Sequence, residues 1–167
     1  MRSFFRLFFF ITGLLISKLA FAEYHQIDLT IYGMDWGICA HAVSVALKKT
    51  PGVETVEVSL NKGLATIHLK PGNTVKLQQI RKSVEDKGFT PKDAKVRLTA
   101  RIVNDGGHLS LKVSEANESF AVKMAAEGKK TERQLQELIN KNVVVEGIIS
   151  SGKEGKSTPS ISILDFH

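Results

Sequence analysis

The chain has 167 residues, with 23 Lys+Arg against 17 Asp+Glu, a formal charge of +6, 43% apolar residues, 7% aromatic residues and one cysteine. One cysteine excludes an intramolecular disulfide framework, a Cys-rich zinc site and a Cys-x-x-Cys redox motif. The charged and apolar fractions are those of a globular chain long enough for one domain or two small ones.

In chain order, Arg2 and Arg6 precede an apolar run over residues 7–16, and Ala20-Phe21-Ala22 follows in the small-x-small pattern of a cleavage site. That is the layout of a secretory signal peptide over residues 1–22, and the run is too short to span a bilayer comfortably. Removing it takes away Arg2, Arg6 and Lys18 and leaves 145 residues with a charge of +3. Half of the net positive charge therefore belongs to the leader, which weakens any case for nucleic-acid binding. The expected location is periplasmic, with no stable membrane insertion after the leader is removed.

From residue 27 the pattern alternates between strand and helix. Ile27, Leu29 and Ile31 alternate with Asp28, Thr30 and Tyr32, which predicts a strand with one buried face. Residues 40–50 carry Val43, Ala46 and Leu47 on one helical stripe, and Pro51-Gly52 stops it. Val56, Val58 and Leu60, then Asn61-Lys62-Gly63, then Ala65, Ile67 and Leu69 predict a hairpin. Pro71-Gly72-Asn73-Thr74 reads as a break and a helix cap before the stripe of Leu77, Ile80 and Val84, which Lys87-Gly88 ends. A further strand is expected near Phe89. The order βαββαβ is the ferredoxin-like arrangement, with both helices on one sheet face.

Residues 96–167 follow another pattern. Val96, Leu98, Ala100 and Ile102 alternate with polar residues, Asn104-Asp105-Gly106-Gly107 turns the chain, and Leu109, Leu111 and Val113 continue. Residues 119–124 suit a strand, although 121–127 could be helical. Thr131 to Gln134 form a capping box before Leu135, Leu138 and Ile139, and strands are expected at 143–149 and 160–166, joined by a Gly/Ser/Lys loop. The order β-β-β-α-β-β is that of an OB-like β-barrel. The expected fold is therefore α+β, with a ferredoxin-like unit at 23–95 followed almost directly by the barrel at 96–167.

The chemistry concentrates in Gly33-Met34-Asp35-Trp36-Gly37-Ile38-Cys39, where the first strand gives way to the first helix. A thiol at a helix start meets unpaired N–H groups and the positive end of the dipole, which stabilise the thiolate. This loop, with Pro51-Gly52-Val53, the Val56/Val58 strand and Gly88-Phe89, resembles the heavy-metal-associated domain family, whose loop reads Gly-Met-x-Cys-x-x-Cys. The resemblance covers roughly 70 residues, about half of the chain that follows the leader. Gly33, Met34 and Cys39 match the glycine, methionine and second cysteine, while Trp36 replaces the first cysteine.

The resemblance implies binding of a soft ion of the Cu, Ag or Hg type, most readily Cu(I), by Cys39. It supplies only one of the family's two thiolates. Two chains could share one ion through paired Cys39 residues. Met34 or His41 could complete the site, with Trp36 as a lid over the ion. Alternatively, the loop is kept for packing. Three functions follow: a non-enzymatic metal-binding or delivery protein, acting as a metal-linked homodimer or with an exported metal-handling partner; a degenerate scaffold for protein–protein contacts; or a thiol that forms a mixed disulfide. No general base, paired nucleophile or cofactor motif suggests catalysis. Sparse aromatic residues in the second half disfavour nucleic acid.

Overall fold

A computed structural model describes residues 22–126, 128, 130–151 and 159–167. The expected leader up to residue 21, the far end of the helical alternative at 121–127 and most of the Gly/Ser/Lys loop lie outside the described residues. Among those described, no helix is long and apolar enough to cross a membrane.

Strand β1 (Tyr24–Tyr32) leads into helix α1 (Gly37–Lys48) and the hairpin of β2 (Val53–Ser59) and β3 (Leu64–Leu69). Helix α2 (Leu77–Glu85) and strand β4 (Thr90–Asp105) follow, then β5 (His108–Val113), β6 (Glu118–Met124), α3 (Glu132–Gln136), β7 (Asn142–Ile149) and β8 (Ser160–Phe166). The sheet order is β2-β3-β1-β4-β5-β6-β8-β7, and β7 also pairs with β4. The first four strands with α1 and α2 form the βαββαβ unit of a ferredoxin-like fold. The last five pair in a closed ring, with β6 and β8 parallel and the other pairs antiparallel.

The apolar alternation dictates this register. Val56, Ile67, Ile27 and Val96 stand opposite one another across β2, β3, β1 and β4, and all four are buried. On the other face the same strands align Glu57, Thr66, Asp28 and Lys95, so that side remains polar. Residues 119–124 lie in β6, so the helical alternative is not taken over those residues.

Strand β4 is one 16-residue element, so the expected boundary at 95/96 falls inside an unbroken strand. Its first part pairs with β1 and its second with β5, while β7 lies along the middle. Thr99 is buried along with Leu98 and Ala100 because the strand is covered on both faces there. The stripe expected beyond Thr131 yields only a short α3, in which Leu135 is buried while Leu138 and Ile139 pack at the edge of the core.

The helix cap expected at Asn73-Thr74 is displaced. Lys76 is the N-cap of α2, and its N–H donates to Gln79 Oε1 at 2.9 Å. Asn73 is instead a buried clasp whose Nδ2 donates to Tyr24 O and Lys70 O, both at 2.8 Å, and whose N–H donates to the Glu23 carboxylate at 3.0 Å. A short polar side chain that can satisfy backbone groups locally serves either purpose.

The ring is tied to the first unit by side chains as well as by β4. Tyr24 Oη donates to Glu118 Oε2 at 2.8 Å, and the Leu77 N–H donates to the same oxygen at 3.4 Å. Arg81 Nη2 donates to Ile149 O at 3.1 Å. Burial pushes the Glu118 carboxyl above its ordinary value, outweighing those two hydrogen bonds and the nearby Lys76 and Arg81 cations. Burial also raises Tyr24, assisted by the Glu118 charge. Because the folded state holds the Glu118 proton more tightly than the unfolded state, this group's contribution is complete below its unfolded value and is lost as pH rises through the folded one. Glu118→Gln keeps an acceptor for Tyr24 without a buried charge. In urea unfolding it should match the wild type at about pH 4.5 and become the more stable of the two towards about pH 7. A stability difference independent of pH would contradict this account.

Candidate metal-binding loop

Strand β1 ends at Tyr32, and Gly33 turns the chain out of the sheet with φ at +93°, a conformation glycine adopts without penalty. Met34 folds inward and is 7% exposed. Trp36 is extended, with φ −134° and ψ 151°, and its carbonyl accepts the N–H groups of Cys39 at 2.9 Å and Ala40 at 3.4 Å. Its indole cannot cap the helix, and no side chain does. The helix starts at Gly37, three residues earlier than its apolar stripe predicts, so Cys39 lies in the first turn.

That turn contains no acidic residue, and the nearest carboxylate in sequence, Asp35, lies outside it, just before the N-cap. Cys39 is a free cysteine, half-buried, on the same helical stripe as Val43 and Leu47, both fully buried. His41 is exposed. Two residues along an α-helix correspond to about 200° of rotation, so it projects from the opposite side to Cys39. Met34 is thus buried beneath the loop, Trp36 exposed on it, and His41 turned away from Cys39. Among the described residues, no group of three or more His, Cys, Asp or Glu side chains could hold an ion.

The segment around Cys39 also carries exposed apolar side chains. Tyr32 is 61% exposed, Trp36 74% and Ile38 78%, and only Val45 joins them as an exposed large apolar residue among those described. Three of the four thus fall within seven consecutive residues. Lys92 Nζ stands 5.2 Å from the centre of the Tyr32 ring, a cation–π contact at the rim. The sequence signal for this cluster was present in Tyr32 and Ile38, but alternation alone does not reveal which apolar residues stay uncovered.

The remaining histidines lie elsewhere. His25 is half-buried on β1 with Nε2 2.7 Å from Thr99 Oγ1, and burial lowers its pKa. His68 is partly buried on β3, His108 is exposed at the start of β5, and His167 is exposed after β8. The buried contact of Tyr24 with Glu118 also escaped the sequence, because its partners are 94 residues apart and neither carries a local motif.

Residues 28–90 match the heavy-metal-associated domain model. The chain matches no curated protein. Among solved structures it is similar to a copper-binding domain from a P-type ATPase, at 29% identity over 43% of this chain and 92% of that one, with a TM-score of 0.38. It is similar to the CopZ metallochaperone at 30% identity, over 40% of this chain and 97% of that one, with a TM-score of 0.38. The N-terminal domain of PacS from Synechocystis aligns at 27% identity over 42% and 94%, with a TM-score of 0.35. All three alignments leave more than half of this chain uncovered. The matched segment, which runs from β1 to the start of β4 and includes the 33–39 loop, makes the chain a member of the heavy-metal-associated domain family.

Proposed function

We propose that this protein binds or hands over a soft metal ion, Cu(I) before others, at the 33–39 loop, outside the cytoplasm and without catalysis. The observation that carries this is the placement of Cys39, a free thiol in the uncapped first turn of α1, within the family segment and beside exposed Trp36 and Ile38. The ion is cargo, and a soft thiolate is the ligand that suits it. One chain offers one such ligand here, because Met34 is buried and His41 projects from the opposite side of α1. A second Cys39 from another copy completes a two-coordinate site, with Trp36 at the contact. The Arg2/Arg6 leader pattern and the Ala20-Phe21-Ala22 site support export to the periplasm. The closed β4-β5-β6-β8-β7 pairing, with its one parallel pair, supports an OB-type barrel for residues 96–167 beside the unit at 23–95.

A second reading is favoured by the apolar cluster itself: Tyr32, Trp36 and Ile38 would serve a protein partner, with no metal involved. An anaerobic titration of the reduced protein with Cu(I), in competition with a chromogenic chelator, separates the two. Under the metal reading the protein withdraws Cu(I) from the chelator, and emission from Trp36, the chain's single tryptophan, changes in step. Failure to compete leaves the scaffold reading.

A further inference from the structure

Beyond the loop, the most unusual placement of charge is on the outer face of the ring. Strands β4 and β5 set Arg101 directly opposite Lys112, and both are exposed. Directly opposed residues of an antiparallel pair have Cβ atoms about 4.5–5.5 Å apart, and like charges there destabilise the pairing. No acidic group among the described residues forms an ion pair with either. The inner face of the same strands holds them together through Ile102 opposite Leu111, both fully buried, so the fold does not require the two cations.

The row extends to Asn142 on β7 and to Ser119 on β6. Four strands wide, it spans about 14 Å and contains no carboxylate. Arg97, exposed on the same face of β4, lies four residues from Arg101 but has Glu146 of β7 directly opposite it, and Asp105 lies four residues the other way, so the cationic part of the face is confined to the Arg101–Lys112 row. At the Ser119 end a shallow cavity of about 340 Å³ is lined by Lys112, Ser114, Asn117 and Ser119, with Glu118 engaged by Tyr24 and Leu77.

We infer that this outer face, centred on Arg101 and Lys112, is a docking surface for an acidic segment of a partner protein. Carboxylates spaced along an extended peptide match a line of donors that crosses the strands, and a guanidinium binds them through paired hydrogen bonds. Nucleic acid fits less well, because the exposed aromatic side chains Tyr32 and Trp36 sit at the loop and offer these bases no stacking platform. A lipid surface also fits less well, since among the described residues no large exposed apolar side chain lies on the row. Arg101 lies eleven residues along β4 from Thr90, the partner of Tyr32, or roughly 35 Å at the rise of a strand. A partner held at the ring therefore leaves the loop free.

The test is fluorescence anisotropy of a labelled decaglutamate peptide titrated with the full chain at low ionic strength. Arg101→Gln with Lys112→Gln should weaken binding at least about tenfold. A control with the same charge removed elsewhere, Lys48→Gln with Lys87→Gln, should change it less than about twofold. The double variant at the ring should also melt no lower than the wild type, because an unfavourable pair has been removed. Absence of peptide binding by the wild type, an equal loss in the control, or tighter binding of a labelled single-stranded DNA of equal charge would each overturn the inference.

Discussion

Cys39→Ser should lose Cu(I) affinity by at least about a hundredfold, or about 2.8 kcal/mol. The substitution is nearly isosteric at a half-buried position at the edge of the core, so the core beneath α1 is preserved. What changes is ligand softness: a serine hydroxyl stays protonated and presents a hard oxygen, which Cu(I) does not prefer. Met34 cannot substitute without leaving the core, and His41 stands on the other side of the helix. Competition with a chelator, measured under reducing conditions, gives the number directly. Retention of wild-type affinity would place the ligands away from Cys39.

Leu98→Ala should destabilise the protein by about 2–5 kcal/mol, the range for a fully buried leucine truncated to alanine. Leu98 has no exposed surface and pairs with Tyr24 on β1 and Val145 on β7. Because β4 belongs to both the βαββαβ unit and the ring, the loss should be felt throughout. Hydrogen exchange should show β3 and β8 losing protection together. Protection that falls in β8 while persisting in β3 would show that the shared strand does not couple the two halves.

Much of this architecture is written locally. The alternation at Ile27, Leu29 and Ile31, the turn at Asn61-Lys62-Gly63 and the stripe of Leu77, Ile80 and Val84 each become the expected element. Burial of one face and of one stripe accounts for those outcomes. The unbroken β4 was only half legible: its alternation runs through residue 102, but its change of partners from β1 to β5 is set by distant strands. Asn73 misled as a cap because its side chain satisfies the nearby carbonyl of Lys70 together with that of Tyr24, which becomes a neighbour only in the folded chain. At the site, the position of Cys39 at a helix start was legible from the loop. The early start at Gly37 was not, since a helix that begins without a side-chain cap carries no sequence mark. Opposition of His41 to Cys39 follows from helical geometry once both lie in α1.

If one thiolate per chain captures the ion by sharing it, multi-angle light scattering of the reduced protein with increasing Cu(I) should follow the pairing. The expected result is a monomer without metal and a dimer at saturation, with about one ion per two chains, since a ligand that binds only the paired state drives pairing by mass action. Trp36→Ala should shift that transition to higher protein concentration, because a large exposed ring at the contact acts as an anchor. A fully loaded species that stays monomeric would contradict the shared site.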